Sequence, residues 1–104
     1  MRLSFSITAL FIGAYISVVA VPFPKLSADY QKEILPLLKK YCLECHSTEE
    51  QEGDLDLERF ISLGAVRKVP KVWVKVVEMM EDGEMPPKKE AQLSVAERKR
   101  FLGW

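Results

Sequence analysis

"KKYCLECHSTEE", Lys39–Glu50, holds both cysteines and the only histidine of the chain, at Cys42, Cys45 and His46. Few chemistries use two thiols separated by two residues with an imidazole directly after the second, so the structural setting of this stretch decides its meaning. On its N-terminal side Tyr30, Ile34, Leu37, Leu38 and Tyr41 recur at three- and four-residue steps, which predicts a helix that delivers Cys42 at its C-terminal end. Ser27 is placed to cap that helix. Pro36 lies inside it and removes one backbone donor, so a kink or a delayed start is expected.

On the C-terminal side, "STEEQEGDLDLERFISLGAVRKVP" (47–70) is acidic and then mixed. Gly53, Gly64 and Pro70 break any long periodicity, which predicts loop with a short helical turn near Leu57 to Leu63. In "PKVWVKVVEMMEDGEMPP" (70–87), Val72, Val74 and Val76 alternate like a strand, whereas Trp73, Val76, Val77 and Met80 follow a helical stripe. Helix is the better reading. Pro70 suits a first turn, Gly83 suits a left-handed cap, and no partner strand is visible. "SVAERKRFLGW" (94–104) begins with Ser94 and Glu97 in capping-box spacing, so a further helix starts at about Val95. The expected fold is therefore all-α, with about three helices.

The chain has 104 residues and a formal net charge of zero. That length allows one small domain, and the charge gives no basic excess of the kind nucleic acid requires. "MRLSFSITALFIGAYISVVAVPFP" (1–24) carries a single cation, Arg2, and reads as an export signal over 1–20, with small residues at Val18 and Ala20 before a cut after Ala20. The alternative is an uncleaved apolar anchor from Leu3 to Val21, weakened by Ser4, Ser6 and Thr8. Either reading exports the domain to the periplasm or the outer face of a membrane, with membrane contact only through this segment. What remains after export is small enough for a side-chain core alone to be marginal.

Three readings compete for Cys42, Cys45 and His46. The spacing matches covalent attachment of one c-type haem, with both cysteines as thioethers and His46 as the proximal ligand to iron. Structural zinc normally takes four closed ligands, and the chain offers three of the soft or imidazole type. A redox dithiol places CxxC at the start of a helix after a strand, whereas here the helical periodicity precedes Cys42. The haem reading fits best. His46 being the only histidine, Met79, Met80 and Met85 are the sulfur candidates for the other face of the iron, with lysine a rarer choice. Met80 shares the apolar stripe and reads as core. Met79 points elsewhere on that helix. Met85 precedes Pro86 and Pro87 in a stiff loop and is the favoured distal ligand. His/Met-ligated iron transfers single electrons; a catalytic or gas-binding haem with an open site is the alternative, and a haem-free CxxC interaction module is another.

The mature chain resembles a planctomycete-type cytochrome c domain, usually an N-terminal module of larger exported proteins. The resemblance rests on "LPLLKKYCLECHS", "GDLDLERF", "VWVKVVEMMEDGEMPP" and "LSVAERKRFLGW" and covers 27–104. It implies a compact helical fold around covalent haem c, an electron-transfer role rather than an enzymatic one, and Met85 as the second ligand. It also implies a redox partner protein or a downstream domain, and with it the expectation that a chain ending at Trp104 is a fragment or a short stand-alone relative. Lys39, Lys40, Arg67, Lys68, Lys71 and Lys75 flank the presumed haem region; such runs are mostly solvated surface, and a docking face is the alternative reading. Glu49, Glu50, Glu52, Asp54, Asp56 and Glu58 form an acidic stretch that would pair either with a partner or with the basic face.

Overall fold

The computed structural model describes residues 2–4, 6–15 and 20–104. The signal or anchor reading falls partly on residues 1, 5 and 16–19, which lie outside the described residues. Before Phe23 the described residues carry no helix or strand, and Leu3, Ile7, Leu10, Phe11, Ile12 and Tyr15 are exposed. No helix of the described residues is long and apolar enough to cross a membrane.

From Phe23 onward the described chain is all-α. Helix α1 spans Phe23–Asp29, a π-helical turn spans Tyr30–Ile34, and α2 spans Leu35–Tyr41. These three segments run on without leaving helical backbone angles, so the expected first helix is present but starts earlier. Pro22 precedes it and Pro24 sits in its first turn, where a missing N–H costs nothing. Ser27 lies within α1 and caps nothing, which corrects the expected start. Pro36 neither kinks the helix to a stop nor delays it. Proline has no N–H to give and its ring crowds the carbonyl one turn back. Widening that turn, with the Leu35 N–H reaching Tyr30 O, removes the conflict.

The short α3, Leu43–His46, follows with Cys42 as the joint, and a 3-10 turn covers Glu52–Asp54. The helical turn expected at Leu57 to Leu63 is displaced: α4 spans Leu63–Lys68, capped by Ser62 Oγ accepting from the Ala65 N–H at 3.2 Å. A serine with a free N–H three residues on is a stronger start signal than the leucines before it. Helix α5 spans Pro70–Glu81, as Pro70 and Gly83 suggested. Its end is a Schellman cap: Gly83 has φ 73°, its N–H reaches Met80 O at 3.1 Å, and the Glu84 N–H reaches Met79 O at 3.0 Å. Helix α6 spans Val95–Gly103 and opens on the expected capping box between Ser94 and Glu97.

The core lies where α1–α2, α4, α5 and α6 meet. Tyr30, Ile34, Leu38 and Phe60 are almost wholly buried. The Tyr30 hydroxyl donates to Phe60 O, and burial pushes its pKa up to about 12. The Trp104 ring packs against Tyr30 with centroids 5.3 Å apart, and its Nε1 donates to Leu26 O at 3.3 Å. The end of the chain is thereby tied to its first helix. Trp73 meets Phe60 edge to face at 5.0 Å.

Candidate functional site

Beside this layer lies a cavity of ≈ 520 Å³, within the roughly 300–1,000 Å³ that cofactor sites occupy. Its walls include Leu37 and Tyr41 on α2, Val72 and Val76 on α5, and Leu93 and Phe101 at α6. Cys42, Cys45 and His46 all line it, and so do Met79, Met80 and Met85. The structure thus brings together every residue that the sequence assigned to the site. Trp73 lies outside it, turned toward Phe60.

Helix α2 ends at Tyr41 and the chain turns through Cys42 into α3, which is why a five-residue motif can present two sulfurs and a ring to one space. The His46 carbonyl accepts from the Leu57 N–H at 2.8 Å, fixing the motif to the loop beneath it. His46 Nδ1 is buried without a hydrogen-bond partner. Buried polar atoms are almost always paired; Trp73 Nε1, outside the cavity, is unpaired in the same way.

Both cysteines are free thiols. Burial, with help from Cys45, pushes the Cys42 thiol up to about 11. The Cys45 thiol is also raised, first by its hydrogen bond with Glu52 and then by burial. Redox dithiols work by lowering a thiol pKa, and these shift the other way. Among the described residues no three His, Cys, Asp or Glu side chains come together as metal ligands. A large apolar group that takes two neutral thiols and one imidazole fits the residues present.

The methionines are less separated than the sequence suggested. Met79, expected to face away, lines the cavity with the other two. The reason is the stripe itself: Val72, Val76 and Met79 fall on one face at steps of four and three, with Met80 at its edge. Met80 is 4% exposed and belongs to the core, as expected. Met85 sits in a loop folded back on the helix end, its N–H reaching Met79 O at 3.1 Å. Pro86, next to it, is buried. Gln92 completes the clasp, donating from Nε2 to Pro86 O at 3.1 Å and Pro87 O at 2.8 Å. Nothing in the local sequence pattern marks Gln92; its role depends on a loop closing over five residues.

A second tie missed in the sequence joins α2 to α6 at the rim. Tyr41 Oη donates to Glu97 Oε1 at 2.7 Å, and Lys40 Nζ lies 3.7 Å from Glu97 Oε2. Glu97 is held down to about 2, chiefly by the Ser94 backbone N–H and then by Tyr41. The capping box was legible; the long-range use of its carboxylate was not. The basic and acidic stretches do not neutralise each other: among the described residues the ion pairs are Lys25–Asp29, Lys40–Glu97 and Lys75–Glu78. Within the acidic loop Thr48 binds Asp56 through its hydroxyl and Glu58 through its N–H.

An all-α chain with a CxxCH segment on an apolar cavity has the construction of a cytochrome c-like domain. Residues 42–89 match the family described as Planctomycete cytochrome C. The match takes in the cysteines, His46, α5 and the Pro86–Pro87 loop, whereas α1, α2 and α6 lie outside it. The likeness is to a cytochrome c family and covers just under half of the chain. No curated protein and no solved structure matches the chain significantly.

Proposed function

We propose that the chain is an exported one-electron carrier that holds a single covalent haem c through thioethers at Cys42 and Cys45, with His46 and Met85 as the axial ligands. The observation that carries this reading is the one cavity whose walls include all four side chains. When bound, haem supplies reversible one-electron chemistry at iron, and a thioether ligand favours the ferrous state. The protein's part is positional. The turn at Cys42 sets both sulfurs and the imidazole on one wall, and the Leu57 N–H fixes the motif from below. Leu37, Leu57, Val72, Val76 and Phe101 exclude water from the rest. Met85 is preferred over Met80, which the core already uses, and over Met79, because the Gln92 clasp and the Met85 N–H bond to Met79 O hold the Met85 loop in place.

Export follows from the apolar, nearly uncharged N-terminal segment and places the domain in the periplasm or on the outer face of a membrane. Electrons then pass to a redox partner protein or to a further domain of the same protein.

Spectra and carbon monoxide binding test the ligand set. Met85→Ala is expected to lose the weak red sulfur-to-iron band of the ferric protein and to gain carbon monoxide binding, with a lower reduction potential. Met79→Leu and Met80→Leu preserve apolar volume and are expected to keep the band. Loss of the band in Met79→Leu with its retention in Met85→Ala would move the ligand to α5. Ready carbon monoxide binding by the unmutated protein would replace the carrier reading with an open-site haem.

A further inference from the structure

The cavity wall is asymmetric in charge. Beside the cysteines, α3 and the 3-10 turn contribute carboxylates, Glu44, Glu52 and Asp54. The Glu52 carboxylate sits against the Cys45 thiol itself. Helix α5 contributes cations, Lys71 and Lys75. These two are four residues apart and so share a face, flanking Val72 and Val76. Both are exposed. Among the described residues Lys71 makes no ion pair, and Lys75 reaches only Glu78, at 3.9 Å with both side chains largely in solvent. Lys40, the remaining lining cation, is already engaged by Glu97 and by the Tyr41 ring, 5.0 Å away. Glu90 is the charge that the loop before α6 adds.

A haem carries two carboxylate side chains on the ring edge opposite its vinyl groups. If Cys42 and Cys45 take the vinyl edge, the carboxylates point away from them, and so away from Glu44, Glu52 and Asp54. The geometry points to Lys71 and Lys75 as the pair that receives the haem carboxylates, an assignment that rests on the haem reading above. Uncommitted ammonium groups on one helix face can give charge-assisted hydrogen bonds to carboxylates at the mouth of the cavity.

The test uses holoprotein from a host that attaches haem, with the haem carboxyl carbons isotopically labelled and titrated by magnetic resonance. Lys71→Gln with Lys75→Gln is expected to raise the pKa of at least one haem carboxyl by about one unit, a tenfold gain in proton affinity. Arginine at both positions is expected to restore it. The single variants each carry part of the shift and keep the test open if the double variant loads poorly. Unchanged carboxyl titrations, or a shift as large from Lys89→Gln outside the cavity, overturn the assignment. A wild-type protein whose intact mass shows no covalent haem overturns the haem reading instead, before any titration is made.

Discussion

The layer around Tyr30 and the wall around His46 share one long helix, yet they fill space in opposite ways. Around Tyr30, Ile34, Leu38 and Phe60 the side chains close on themselves to within 2% exposure, and the tyrosine hydroxyl is satisfied by Phe60 O. Around His46 the corresponding apolar groups, among them Val72, Val76, Met79 and Leu93, are only partly buried and border ≈ 520 Å³ of space. One side of the helix is finished by the chain. The other borders open space that the proposed haem would fill.

That contrast is most exposed to removal of the attachment points. Cys42→Ala with Cys45→Ala leaves the cavity unfilled, and hydrogen exchange is expected to show loss of protection in α5 and in 84–93, with most of the helical circular dichroism lost besides. The Tyr30 layer should be the last region to exchange. Native-like protection of α5 in that variant would mean that the side chains close the cavity alone, and the comparison would fail.

Within the holoprotein the closed side should be the more sensitive to truncation. Phe60→Ala is expected to cost about 3–5 kcal/mol by denaturant unfolding, because its neighbours cannot collapse into the space. Val76→Ala, on the cavity wall, is expected to cost roughly 1 kcal/mol. A larger cost at Val76 would reverse the assignment of which side is tightly packed.

The smallest effect concerns the tie across the rim. Glu97 has its pKa depressed in the folded state, so its contribution is fully present above its ordinary value of 4.5 and is lost as pH falls through about 2. Glu97→Gln is therefore expected to flatten the acid side of the stability profile between those values. Ser94→Ala, which removes the cap, is expected to cost about 1 kcal/mol at neutral pH. An unchanged acid profile in Glu97→Gln would show that the tie to Tyr41 is not what holds α6 at the cavity.

The parts of this arrangement that local chemistry specifies could be read from the sequence. Pro70 and Gly83 bound α5, Ser94 and Glu97 open α6, and Cys42, Cys45 and His46 carry the spacing on which the haem proposal rests. What could not be read depends on distance. A proline at 36 signals interruption by its missing N–H, and only the packing of Tyr30 and Ile34 on either side makes a widened turn better than a break. The face shown by Met79 is ambiguous until α5 has a neighbour. The Gln92 clasp and the Tyr41–Glu97 bond join residues whose patterns carry no trace of one another. In each case the missing information is the position of a second element.

Intact mass of the exported protein, with acid and organic extraction, tests the central claim most directly. A thioether-bound haem is expected to add one haem to the mass of the chain and to remain with the protein through extraction. A mass equal to that of the chain alone, or haem released into the solvent, would contradict the account.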